Sequence, residues 1–361
     1  MAGITQYQLT RWDYLRRHIR TFLPYLTVRK VANIALNAAE FKLKIATMRS
    51  LPPYLKVEST PVCHLSCTGC MHVYPDYKLQ FHPSLNLSLE NFKRMIDPVA
   101  DYIVGISFSL RGEPLLNRNL PSIVAYAHQK GIATSFPTNL SMPLNAKQVD
   151  AIVTSGLDAM YISLDGASPE TYIQYRVGGD FKLIEKNVRL LADAKKALGL
   201  KRPKLVWKFV VFDHNEHEVE TAAKTYRDYG FDEYEFVANW SGEKMREKEK
   251  EDNARIVANK EACYFPWNSA IVQSDGDVKP CCSMKAQDFI MGNAAQDGLK
   301  AVWRNENYTR LRLGFETKNY GDNMHPICRA CVGLSEKIRQ YEKVKPLKIT
   351  PLAPEASKKA I

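Results

Sequence analysis

The stretch from Thr60 to Met71 reads TPVCHLSCTGCM and sets Cys63, Cys67 and Cys70 in a C-x3-C-x2-C spacing. It follows Tyr54–Ser59, a run with strand character, so the three cysteines ride the loop at that strand's C-terminal end. Thiols this close cannot all pair with one another as disulfides, but a tight loop can turn all three onto one metal centre. A structural zinc takes four ligands, and iron–sulfur clusters are ordinarily held by four cysteines. With three local cysteines, one iron of a cubane keeps a position open for a ligand that is not protein. Zinc completed by a fourth side chain is the rival reading of the same spacing.

Working outward, the 361 residues suffice for one large domain and a small one. No apolar run approaches the roughly 20 residues needed to cross a bilayer. Arg11, Arg16, Arg17 and Arg20 interrupt any apolar core of a signal peptide. The expectation is a cytoplasmic protein, in which eight cysteines point to metal ligation rather than disulfides. The net charge of +11 is uneven: residues 1–50 hold nine Lys/Arg against two acids, and residues 332–361 hold seven against three. The middle of the chain is therefore neutral, which argues against a nucleic-acid groove on the body. The two basic ends suit a membrane surface or an acidic partner.

Between Gln8 and Leu26 apolar residues recur at three- and four-residue steps, and Pro24 ends or kinks the predicted helix. A second helix is expected over Val28–Met48. Such basic helices either lie in a membrane interface or cap the body with their charges in water. From Pro53 the pattern alternates. Strands are expected at Tyr54–Ser59, Tyr102–Leu110, Ile132–Thr138, Ala159–Asp165, Leu205–Phe212 and Tyr234–Val237. Helices are expected at Leu89–Val99, Leu120–Lys130, Ala146–Ser155, Phe181–Leu198 and His217–Tyr229. Repeated βα units imply a parallel sheet. The expected organisation is a helical extension (1–52), a βα body (53–240), a charged linker (241–262), a cysteine-rich domain (263–335) and a basic tail (336–361).

The spacing of Cys63, Cys67 and Cys70 resembles the signature of radical S-adenosylmethionine (SAM) enzymes. The resemblance implies an α/β fold, a partial (β/α)6 TIM-type barrel. It also implies a [4Fe-4S] cluster whose open iron binds SAM, and an electron donor such as flavodoxin or ferredoxin. Cleavage of SAM then releases a 5′-deoxyadenosyl radical that takes a hydrogen atom from the substrate. Many members carry an aromatic residue just before the last cysteine, where this chain has Gly69. Further matches fall on successive strand ends. Gly112-Glu113-Pro114, behind Arg111, resembles the family's G-G-E-P segment, implied to meet the cofactor's amino group. Asn139 follows the third strand. Ser163 and Asp165 end the fourth, and Arg176 follows. The resemblance places the serine and arginine at the cofactor's ribose and carboxylate.

A second set comprises Cys263, Cys281, Cys282, Cys328 and Cys331, with an Asp-Gly turn at Asp275-Gly276. This layout resembles the SPASM extension of radical SAM enzymes, with cysteines for a single auxiliary [4Fe-4S] cluster. The implied ligands are Cys263, Cys281, Cys328 and Cys331, with Cys282 as the alternative to Cys281. Cys282 is otherwise the candidate hydrogen donor to a substrate radical. The extension of 50 residues is short and strand-poor for a peptide-leader domain. The expected substrate is accordingly a lipid, glycolipid or sugar, with peptide or protein maturation as the rival and a zinc-binding module as the non-enzyme reading. The expected setting is cytoplasmic, and peripheral to a membrane where the N-terminal helices make that contact rather than cap the body.

Overall fold

The computed structural model describes residues 11–238, 263–281, 289–316 and 328. Two helices, α1 (Arg11–Phe22) and α2 (Val28–Lys42), precede the body. Helix α1 stops before Pro24, and Thr27 caps α2 by accepting the Lys30 amide. The alternation follows: β1 (Tyr54–Val57), α3 (Leu89–Ile96), β2 (Gly105–Ser107), α4 (Leu120–Gln129), β3 (Ala133–Thr138), α5 (Ala146–Thr154), β4 (Ala159–Ser163), α6 (Pro169–Tyr175), α7 (Phe181–Ala197), β5 (Lys204–Val211), α8 (Val219–Thr225) and β6 (Glu233–Ala238). After the undescribed segment come β7 (Ser269–Val272), β8 (Asp277–Lys279), β9 (Gly292–Asn293) and a helix, α9 (Glu306–Glu316).

Strands β1 to β6 are parallel neighbours in sequence order, an open partial barrel of the expected class. The cysteine-rich part does not stand apart. Strand β7 pairs in parallel with β1, Tyr54 opposite Ser269 and Val57 opposite Val272. The β7–β8 hairpin and β9 continue the same sheet, which reaches nine strands. Side chains alternate across it. Val57, Ile106, Phe136, Ile162 and Trp207 pack under the helices. Each such residue contributes about 1.5–3 kcal/mol by leaving water. On the lumen side lie Lys56, Ser107, Ser135 and Tyr161, around a cavity of about 460 Å³.

The N-terminal helices form a strap across the N-terminal ends of the strands. Arg17 of α1 donates to Glu235 (2.7 Å) and pairs with Glu233 (3.1 Å) on β6. Tyr25 donates to Asp158, just before β4, at 2.8 Å. Lys30 donates to the Gly131 carbonyl before β3, and Asn33 to the Leu51 carbonyl before β1. Asn37 reaches the Trp267 carbonyl before β7 at 2.6 Å. The expectation that a capping helix shows its charges to water needs correction for α2, because Lys30 and Glu40 are both buried. The Glu40 carboxylate accepts from the Arg49 and Ser50 amides and the Ser50 hydroxyl. These partners offset the desolvation that an unsatisfied buried polar group would suffer.

Candidate active site

The loop after β1 is anchored on both flanks. On one side Gly112 and Glu113 donate backbone N–H bonds to the Thr60 and Val62 carbonyls, at 3.2 and 2.8 Å. A Cβ on Gly112 would fall 2.3 Å from the Thr60 oxygen, so only glycine allows this approach. On the other side Ser66 and Thr68 donate to the Val177 and Tyr175 carbonyls around the end of α6. The three cysteines are thereby suspended between the strand ends of β2–β3 and β4.

Glu113 is buried and accepts from Thr138 Oγ1 (2.6 Å), the Asn139 amide (2.7 Å) and the Leu115 amide (3.1 Å). Burial raises its carboxyl above the ordinary range against these three donors. Its role is to bind the end of β3 to the loop after β2, which sets Asn139 Nδ2 at 3.9 Å from Cys63 Sγ. Asp165, at the end of β4, is fully buried and accepts from the Val210 amide (2.7 Å) and from Arg176 Nε (2.6 Å). Arg176 Nη1 then stands 3.8 Å from Cys67 Sγ. Burial works against the guanidinium charge, but Asp165 and Cys67 outweigh it and hold Arg176 firmly protonated. Ser163 closes β4 in register with Lys208 of β5.

Burial, with Glu113 next, pushes the Cys63 thiol up to about 12, and Cys67 and Cys70 add to the rise. Burial also raises Cys67, with Arg176 opposing it. The three thiols thus share one electrostatic neighbourhood, with N–H donors aimed at two of the sulfurs. That donor set fits a thiolate-bound, negatively charged iron–sulfur cluster. Among the described residues no group of three Cys, His, Asp or Glu side chains closes on a point that would hold a single metal ion. A cubane, in which each cysteine binds its own iron, asks for a wider spread.

Of two neighbours of this loop, Tyr175 was not singled out by sequence reasoning and Arg111 was noted only as a departure from glycine. A Cβ on Gly69 would lie 2.9 Å from the Tyr175 hydroxyl, so the Tyr175 ring fills the space beside that glycine. Tyr175 also packs on Phe212 with ring centroids 4.4 Å apart. Arg111, where a glycine was expected, forks onto Glu58 at 2.6 and 2.5 Å. Glu58 accepts as well from the Ser274 amide and hydroxyl in the β7–β8 turn, at 3.3 and 3.2 Å. The substitution therefore ties the hairpin to the mouth. The only signal was a charge at a glycine position, and its partner lies 53 residues away in sequence.

Of the second set, Cys263 precedes β7 and Cys281 follows β8, both towards the N-terminal ends of the parallel strands. Cys263 and Cys328 pack against the core. Cys282 and Cys331 lie outside the described residues. The lumen cavity lies at the N-terminal half of the strands, away from the cysteine loop and towards this second set. Its lining includes Tyr264, next to Cys263, and its floor is Arg17, Thr21 and Phe22 of α1.

Residues 57–224 match the radical SAM superfamily model, and residues 263–332 match SPASM, an iron–sulfur cluster-binding domain. Over 116 residues the chain is 30% identical to an S-adenosylmethionine-dependent nucleotide dehydratase of Selenomonas ruminantium, covering 32% of this chain and 39% of that enzyme. The chain spans about two-fifths of the length of the curated relatives it matches. Streptococcus suis SuiB bound to precursor peptide SuiA superposes with a TM-score of 0.57 at 13% identity, over 77% of this chain and 70% of that one. AdoMet-bound anSMEcpe gives 0.51 at 17% identity, over 78% and 87%. At these identities the two structures speak for the fold.

Proposed function

The chain belongs to the radical SAM superfamily and carries a C-terminal SPASM domain, and on that footing we propose an enzyme that takes a hydrogen atom from a polar-headed substrate that extends from the cysteine loop down into the barrel lumen. Its cofactors are S-adenosylmethionine, a [4Fe-4S] cluster and an auxiliary cluster, which together supply the radical chemistry when bound. Cys63, Cys67 and Cys70 hold the first cluster. Asn139 and Arg176 donate to the Cys63 and Cys67 sulfurs, while Glu113 and Asp165 fix those two donors. The backbone of Gly112 to Pro114, with Ser163, borders the SAM position, and the Tyr175 ring stands in for the side chain that Gly69 lacks. Cys263, Cys281, Cys328 and Cys331 hold the auxiliary cluster, with Cys282 the alternative to Cys281 or a hydrogen donor. A flavodoxin or ferredoxin supplies electrons.

The observation that carries this reading is the suspended cysteine loop, with buried Arg176 and Asn139 aimed at its sulfurs. Substrate class rests on the cavity. About 460 Å³ is the size of a small-molecule site. Its walls combine the hydroxyls of Ser107, Ser135 and Tyr161 and the Lys56 amine with the rings of Phe22, Tyr54 and Phe265. That mixture supports a sugar, glycolipid or lipid headgroup handled near a membrane, with a peptide side chain as the rival. Cys63→Ala, reconstituted anaerobically with iron and sulfide, is expected to lose deoxyadenosine formation altogether. Formation at the wild-type rate would refute the assignment.

A further inference from the structure

Helix α2 is inside out. In α2 the polar residues Lys30, Asn33, Asn37 and Glu40 recur at helical spacing, and all four are buried. Each is committed to a named backbone or side-chain partner at the strand ends. The helix therefore cannot turn its apolar face inward without breaking that whole row. What remains outside is apolar: Val28 is 89% exposed and Leu43 69%, with Leu36 also in water. Helix α1 repeats the pattern in part. Arg17 and Thr21 face the lumen beside Phe22, while among the described side chains Trp12 (71% exposed), Ile19 and Leu23 face out between exposed Arg16 and Arg20.

Charge is sorted in the same way. The first 50 residues contain two acids, Asp13 and Glu40. Glu40 is buried and Asp13 half-buried. Arg16, Arg20 and Lys42 are exposed, as is Arg29, which pairs with the exposed Asp101 of the body. The outer face of the strap thus presents apolar side chains and cations with scarcely any acid among them. A second copy of this face would bring like charges together. An aqueous protein partner would need an apolar and acidic patch to match.

We propose that the strap, across the N-terminal end of the barrel, docks on the interface of an anionic lipid bilayer. Trp12, Ile19, Leu23, Val28 and Leu43 enter the headgroup boundary, and Arg16, Arg20 and Lys42 meet lipid phosphates. This deepens the reading of a substrate handled near a membrane, since α1 is at once the floor of the lumen cavity and part of the docking face. It does not depend on the radical chemistry.

The test is flotation of the full chain with vesicles of phosphatidylcholine alone, or of phosphatidylcholine mixed with phosphatidylglycerol. The protein is expected to float with the mixed vesicles only, and to be released by salt. Val28→Glu with Leu43→Glu should abolish flotation, while deoxyadenosine formation by the reconstituted enzyme stays at the wild-type level. Arg16→Glu with Arg20→Glu should weaken binding on the order of tenfold or more. Equal binding to neutral vesicles, or flotation that survives both double variants, overturns the proposal. So does absence of flotation, whether the chain sediments as a monomer or as a dimer that Val28→Glu disrupts. Failure here with deoxyadenosine release intact leaves the enzyme class standing. Flotation without any lipid accelerating that release would sink the lipid substrate and keep the docking surface.

Discussion

The two ends of the barrel bury polar side chains for opposite purposes. At the C-terminal end, Glu113 and Asp165 are anchored to backbone amides and in turn aim Asn139 and Arg176 at sulfur. At the N-terminal end, Asn33 and Asn37 give their hydrogen bonds to strand-end backbone and to the Ser50 hydroxyl, and aim no group at a reactive atom. Buried polarity is therefore no mark of a site by itself. The mark is a buried group whose partner is a reactive atom, supported by a second buried group that holds it there.

That contrast can be broken by mutation. Arg176→Ala leaves Asp165 fully buried without its cation, and should cost about 3–5 kcal/mol in urea unfolding of the metal-free protein. Arg176→Lys keeps a charge but not the fork from Asp165 to Cys67, so it should recover stability better than cluster loading, read from iron content. Equal recovery of both would reduce Arg176 to a structural ion pair. At the other end, Asn33→Ala strips partners from the Leu51 carbonyl (2.9 Å) and the Leu51 amide (2.9 Å). A loss of roughly 1–3 kcal/mol is expected, with iron content unchanged. Depleted iron would mean that the strap acts on the site after all.

The smallest effect expected is with pH. Burial lowers His64 below the ordinary imidazole value of 6.5, as it does His72. Below pH 6.5 the unfolded chain takes up protons that these folded imidazoles refuse, so stability falls on acidification. Melting of the metal-free protein should drop as pH falls from 6.5 through the lower folded values. His64→Gln should flatten the drop, and an unchanged slope would mean that other groups govern it.

Much of this was legible in the sequence because it is local. The βα alternation sits in runs of Val, Ile, Phe and Trp such as Leu205–Phe212, and the observed β5, Lys204–Val211, differs by one residue at each end. The cysteine triplet and the Gly112-Glu113-Pro114 turn were legible for the same reason. The β1–β7 pairing was not, because nothing in Ser269–Val272 names a partner more than 200 residues earlier. The inverted strap escaped for a different reason. The stripe Lys30, Asn33, Asn37, Glu40 is plain in the sequence, but amphipathic logic assigns a polar stripe to water. Only the strand-end carbonyls and amides waiting beneath it reverse that assignment.

The pairing of β7 with β1 works as a gauge. Four paired residues at a rise of about 3.3 Å each make a span of about 13 Å. One cysteine set hangs beyond the upper end of that span, and Cys263 lies beyond the lower. Backbone hydrogen bonds resist stretching, so breathing of the helices around the sheet leaves this interval almost untouched. The separation between the two cysteine sets is therefore set by the sheet itself, not by the helices packed around it.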